Sequence, residues 1–219
     1  MKKQNSLIDR TLVVTTLVCL LPMVFSLVVY RRLPDRVPIH FNVAGEPDNY
    51  APKAFAAFGI PLLLALLNVV LQIVLKTDPK RDPKERIYLI SRWILAPLSL
   101  FLTPLSLLIA LGSPLRVEKI VPLAVAFLFL LIGNYLPKCK QNYTIGIKLP
   151  WTLADEENWK KTHRFAGWLW TIGSLLIIIL LLLGFPSGIS FFSILVILAF
   201  APMIYSFALS RKNGPIDTP

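Results

Sequence analysis

The sequence predicts an all-α integral membrane protein with six transmembrane helices, one ordered extracellular loop and one cytoplasmic interfacial helix. Three observations lead there. The 219-residue chain is 55% hydrophobic and only 16% charged, too apolar for one soluble core and well below the ~25% charge of soluble domains. Its apolar residues gather in six runs free of Asp, Glu, Lys, Arg and His, each long enough to cross a hydrocarbon core at ~1.5 Å per residue. With the N-terminus inside, 17 of the 23 Lys and Arg residues fall on the inner side, the asymmetry expected of cytoplasmic loops.

The first run, Thr11–Tyr30, follows a basic stretch with Lys2, Lys3 and Arg10. A signal peptide begins the same way, but its apolar core is only ~7–15 residues and small residues follow it. Here Arg31 and Arg32 follow, so the run reads as an uncleaved span. The others are Ala54–Leu75, Trp93–Gly112, Ile120–Pro137, Phe165–Gly184 and Ile189–Ser210. Six is even, so both termini share the cytoplasmic side of a plasma membrane. The net charge of +11 sits in short runs beside apolar stretches, which reads as contact with membrane lipids and not as direct nucleic-acid binding. Cys19 and Cys139 lie in an apolar run and a basic loop, and suggest neither a disulfide framework nor a metal site.

Spans without ionisable groups argue against an ion pump. The polar residues left at depth are Asn68 and Gln72, which share one helix face, and Asn134. Interhelical hydrogen bonding is preferred for them over a substrate path.

Two connections are richer than a membrane hairpin needs. In Arg31–Lys53, expected outside, Pro34 and Pro38 stiffen the chain, and Val37, Ile39 and Phe41 alternate as a short strand does. Gly45 suits a turn. The candidate surface there is Pro38, His40, Phe41, Asn42, Gly45 and Asp48. His40 with Glu46 and Asp48 is a weak metal signal, and a hydrogen-bonded loop is the preferred reading; neither a metal nor a cofactor is expected.

In Lys138–Arg164, expected in the cytoplasm, Thr152 followed by Asp155 is a variant capping box, so a helix is predicted from near Leu153 into the fifth span. Glu156–Lys160 and Glu157–Lys161 are spaced to pair, and Asp155, Trp159 and His163 share a face. A membrane-surface helix with an aromatic belt of Trp151, Trp159, Trp168 and Trp170 accounts for much of this composition. It does not account for the Asn-x-x-x-Gly-x-Lys-x-Pro-Trp run before it. Asn142, Gly146, Lys148, Pro150, Trp151 and Thr152, with Trp159 and His163, are therefore the candidate partner-binding residues.

Gly133-Asn134, Asn142, Gly146-Ile147-Lys148, Pro150-Trp151-Thr152-Leu153, Trp159 and His163-Arg164-Phe165 together resemble the signature of the SdpI immunity-protein family. Leu33-Pro34, Val37-Pro38, His40-Phe41-Asn42, Gly45 and Asp48 resemble the N-terminal domain of unknown function that commonly accompanies it. The resemblance covers the chain nearly end to end and divides it at residues 1–75 and 76–219. One departure stands out: Lys148-Leu149 replaces the family's Arg-Thr, and lysine lacks the bidentate fork of a guanidinium. The resemblance implies a bacterial, non-enzymatic membrane protein that confers immunity to a secreted killing peptide outside and signals by drawing a transcriptional repressor to the membrane inside.

Two other classes compete. A transporter with inverted repeats is suggested by one span, a long loop and two spans in each half. Against it, the hairpin connections at Lys76–Arg92 and Phe185–Gly188 are very unequal. A membrane-embedded hydrolase would need His40 and His163, which the expected topology places on opposite faces.

Overall fold

The computed structural model describes residues 7–185 and 187–212. Six helices among them are long and apolar enough to cross a membrane: Arg10–Arg32, Phe55–Thr77, Arg86–Ala110, Val117–Lys138, Glu156–Leu182 and Gly188–Lys212. Their 22 to 27 residues reach ~33–40 Å, sufficient for a ~30 Å hydrocarbon core. The fold is thus that of an all-α, multi-pass membrane protein, with each long helix covering most or all of one of the uncharged runs.

The first long helix comprises α1 (Arg10–Leu20) and α2 (Pro22–Val29), with a 3₁₀ turn at Tyr30–Arg32. It is interrupted at Pro22, which has no N–H to donate and takes the first position of α2. The second is a π-helical turn, Phe55–Gly59, running into α3 (Ile60–Thr77). The third comprises α4 (Arg86–Trp93) and α5 (Leu95–Ala110). Then come α6 (Val117–Tyr135), the short α7 (Pro150–Ala154), α8 (Glu156–Leu182) and α9 (Ser187–Lys212). Between α2 and α3 stand the only strands among the described residues, β1 (Arg36–Phe41) and β2 (Pro47–Pro52). They pair antiparallel with Val37 opposite Ala51 and His40 opposite Asn49.

The chain forms two compact units. One runs through Asn42 and includes Glu46–Thr77 and Leu89–Leu115; the other takes Val43–Gly45, Asp78–Tyr88 and the chain from Arg116 onward. In the first unit, Val37 on β1 is fully buried with Leu33, Ala56, Ala57 and Leu107. The Ser106 hydroxyl on α5 donates to the Pro38 carbonyl, which ties the hairpin to the helices. At the other end of this unit the Asn68 amide donates to the Thr15 and Thr16 hydroxyls at 2.9 and 3.0 Å. Gln72 donates to the same Thr15 at 3.2 Å and to the Arg92 carbonyl at 2.7 Å.

Arg92 marks a departure from the sequence reading. Lys76–Arg92 was expected as a charged connection, yet its second part is α4, and Arg92 is only 7% exposed. The reason lies far away in sequence. Its Nη2 donates to both Asp9 carboxylate oxygens at 2.6 and 2.8 Å, and its Nε donates to Gln72 Oε1 at 2.6 Å. Lys76 joins with Nζ 3.0 Å from Asp9 Oδ2. A charge so paired and hydrogen-bonded is tolerated in a buried position.

In the second unit α6 and α8 approach backbone to backbone. A Cβ at Gly133 would stand 3.1 Å from the Gly167 carbonyl oxygen, and one at Gly167 would run into Pro137 and the Gly133 carbonyl. Small residues permit such crossings between membrane helices. The Trp170 indole on α8 then donates to the Leu198 carbonyl on α9 at 2.9 Å.

The expected helix start near Leu153 is also corrected. Thr152 lies inside α7, and its hydroxyl accepts from Leu149 N–H at 2.9 Å and donates to the Ile147 carbonyl at 2.8 Å. The cap of α8 is Asp155, in an extended conformation, which accepts from Glu157 N–H at 2.8 Å. An aspartate at that position satisfies an orphan donor as well as a threonine does, and Pro150 favours an earlier, separate turn by presetting φ at a helix start.

Candidate functional site

The 139–149 loop has little regular structure and is held by side chains. Asn142, 6% exposed, accepts from the Thr144 and Ile145 N–H groups at 2.9 and 2.6 Å and donates to the Lys140 carbonyl at 2.9 Å. This is an Asx turn, the local alternative that asparagine offers to helix or strand. Asp78 anchors the same turn: Oδ2 accepts from Tyr143 N–H at 2.8 Å and the Thr144 hydroxyl at 2.7 Å, and Oδ1 accepts from Lys80 N–H at 2.8 Å.

The next residues close onto α8. Gly146 has φ +112°, and a Cβ there would collide with the His163 imidazole, so glycine is required. His163 Nε2 accepts from Ile147 N–H at 3.0 Å, while Nδ1 lies 2.8 Å from the Trp159 carbonyl. A main-chain N–H only donates and a carbonyl only accepts, so the ring is the neutral tautomer with its proton on Nδ1. Trp159 stacks on it with centroids 4.0 Å apart and donates from its indole to the Cys139 carbonyl at 2.8 Å. Trp159 and His163 are both fully buried. The expectation that Trp159 belongs to an aromatic belt at the membrane surface is corrected, because the loop folds over it; of the four tryptophans of that belt, Trp168, 66% exposed, is the outward-facing ring.

The far end of the site is fixed by α9. Trp151 donates from its indole to the Ser206 hydroxyl at 2.6 Å and packs edge-on against Phe207. Asn158 donates to the Ser206 carbonyl at 3.0 Å and accepts from the Ser206 and Thr162 hydroxyls at 3.1 and 2.9 Å. Gln141 closes the ring by donating to the Thr152 and Leu153 carbonyls at 3.0 Å each.

Asn142, Gly146, Thr152, Trp159 and His163 therefore build one cluster, and Trp151 extends it to α9. Lys148 and Pro150 are exposed beside it, as is Tyr143, 49% exposed with Lys80 Nζ 4.9 Å from its ring centre. The sequence reading missed Asp78, Gln141, Cys139, Asn158 and Ser206. Asn158 and Thr162, four apart on α8, carried a legible sign; Asp78 carried none beyond its place before Pro79.

The electrostatics favour a closed support. Burial pushes the Cys139 thiol up to about 12, the Glu85 charge adding to it and the Asn142 hydrogen bond opposing it. The two His163 nitrogens are committed to main chain. What the loop presents outward is a ridge of Tyr143, Lys148 and Pro150.

The β1–β2 hairpin is a second candidate. His40 Nδ1 is 2.5 Å from Asp48 Oδ1, with both side chains well exposed. Asn42 Oδ1 accepts from Glu46 N–H at 3.0 Å around Gly45, whose φ is +82°. Pro38 is buried, and Phe41 is half-buried. Of the polar positions at depth, Asn68 and Gln72 are fully buried in the first unit; Asn134 is exposed near the end of α6.

Residues 138–206 match the SdpI/YfhL protein family, and that span contains the loop, α7, Trp159, His163 and Ser206. Over that span the chain is similar to this family. Residues 17–65 match a domain of unknown function, DUF1648, which brackets the hairpin. The immunity protein SdpI of Bacillus subtilis (strain 168) is 27% identical over 195 residues, covering 89% of this chain and 91% of that protein. No solved structure matches the chain. The SdpI/YfhL match thus starts at Lys138, at the threshold of the loop, and leaves out Asp78, its main outside anchor.

Proposed function

We propose that this is a membrane immunity protein of the SdpI type, which protects its cell from a secreted, membrane-active peptide and acts by binding, without catalysis. The observation that carries the reading is the similarity to the immunity protein SdpI along nearly the whole length of both chains. In this reading both termini and the 138–164 segment face the cytoplasm, and the hairpin faces outward. The exposed His40, Asn42 and Asp48 meet the peptide first. Tyr143, Lys148 and Pro150 hold a soluble partner, a repressor brought to the membrane.

The test is a gain of protection. The chain is expressed in a peptide-sensitive bacterium challenged with secreted peptides encoded by the source genome, beside an empty vector. Survival that rises for one of them supports immunity, and Asp78→Ala separates the faces by loosening the inner loop alone. Unchanged sensitivity to every peptide, with the protein confirmed in the membrane, sinks the reading. Thiol labelling of single cysteines at Asn42 and Lys148 in intact cells tests the sidedness: only the first should react with an impermeant reagent.

A further inference from the structure

A polar groove in the second unit joins groups of opposite charge: Glu85, Arg86, Ile87, Asn134, Tyr135 and Lys138 line it. Arg86 begins one membrane-crossing helix and Lys138 ends another, so the groove lies at two helix ends, the level of lipid headgroups. Arg86, Asn134 and Lys138 are exposed, and the Lys138 ammonium lies 5.8 Å from the Tyr135 ring centre. Neither cation has a carboxylate partner among the described residues.

Glu85 is the opposite case. Its side chain is 14% exposed, and its Oε1 is buried without accepting a hydrogen bond among the described residues. Lys140 Nζ stands 4.0 Å away and is instead held by Asp82 at 2.8 Å. Burial raises the Glu85 pKa even though a hydrogen bond from the Lys140 main-chain N–H and the Lys140 charge oppose it, the mark of a carboxylate whose desolvation is under-compensated.

The ligand that answers all of these groups carries an anion for two cations and, one short linker away, a cation able to donate hydrogen bonds to an acid. We propose that the groove binds a phosphoethanolamine headgroup, with its phosphate on Arg86 and Lys138 and its primary ammonium on Glu85. Asn134 and Tyr135 flank the phosphate as neutral donors. A phosphoglycerol headgroup supplies the anion without the cation. A phosphocholine headgroup supplies both charges, but its quaternary ammonium has no hydrogen to donate. The site lies outside the Asn142–His163 cluster, so it stands or falls apart from the immunity reading.

The full-length protein in mild detergent is titrated with short-chain phosphatidylethanolamine, phosphatidylglycerol and phosphatidylcholine, and adducts are counted by native mass spectrometry. One charge-assisted hydrogen bond to a half-buried acid makes the ethanolamine lipid bind roughly tenfold tighter than the choline lipid. Glu85→Gln erases that preference, and the Arg86→Ala, Lys138→Ala double variant weakens all three lipids. Glycerophosphoethanolamine, the same headgroup without chains, competes only in large excess if the source is the bilayer. Competition at equal concentration assigns the groove to a soluble phosphoethanolamine. Equal binding of the ethanolamine and choline lipids, or a preference that survives Glu85→Gln, overturns the proposal. Should Glu85→Gln not fold, Arg86→Glu at an exposed position replaces it, and binding unchanged by that reversal is equally fatal.

Discussion

His163 accepts a hydrogen bond from the main-chain N–H of Ile147 at 3.0 Å, joining a buried position on a membrane helix to a loop residue sixteen positions earlier. The contact needs Gly146, whose positive φ and missing side chain let the loop pass over the ring.

That dependence makes Gly146→Ala costly. Strain at φ +112° and the overlap with the imidazole together lower stability by ~2–4 kcal/mol. His163→Ala removes the overlap and leaves the strain, so the double variant is less destabilised than the two single losses summed. Unfolding midpoints of the four proteins in one detergent measure the coupling, and strict additivity would contradict the packing described here.

Asp78→Ala removes the acceptor for Tyr143 N–H and the Thr144 hydroxyl, at ~1.5–3 kcal/mol for hydrogen bonds to a charged group. The helices keep their packing, so the loss is local: amide exchange at Tyr143 and Thr144 quickens, and proteases cut within 139–149. Global unfolding with no local change would mean that Asp78 supports more than this turn.

Cys139 reports on the same closure. With its thiol pushed up to about 12 by burial, it stays unmodified by iodoacetamide at pH 8 in the folded protein and reacts once denatured. In Asp78→Ala its labelling rate rises several-fold, read by mass spectrometry of the peptide that contains it. Rapid labelling of the unaltered protein would show the loop to be open.

The network around Asp9 predicts an acid limb. Burial opposes ionisation, but hydrogen bonds from Arg92, Leu12 N–H and Lys76 outweigh it and hold the carboxyl down to about 2. A folded value below the ordinary 3.8 means that this stabilisation is whole above ~4 and lost as pH falls from there toward 2. Thermal midpoints between pH 5 and 2 should fall more steeply for the unaltered protein than for Asp9→Asn, and parallel curves would remove Asp9 from the account.

Much of this was open to reading from the chain because lipid imposes simple demands: an uncharged run of sufficient length becomes a helix. The polar pair Asn68 and Gln72 was visible at helical spacing. Arg92 was not, since a cation is placed inside only when its acid is known, and Asp9 lies 83 positions away. Trp159 misled for a related reason. Tryptophan suits a membrane interface equally well by its own chemistry, and only the loop that crosses over it, held by Asp78 and Gly146, makes it internal. The Asn142–Thr152 segment stood out because its residues fitted no anchoring role. Its support from Ser206 lay in an unremarkable apolar run.

Ser206 also sets an order of assembly. Trp151 and Asn158 both depend on it from 55 and 48 positions upstream, so the ridge is unfinished until the last long helix has left the ribosome and entered the bilayer. At ~5–20 residues per second, that delay is about 3–11 s. During this interval the nascent chain already has its earlier membrane helices but lacks the clamp on Trp151. A copy that stops short of Ser206 holds neither the Trp151 indole nor the Asn158 amide in place.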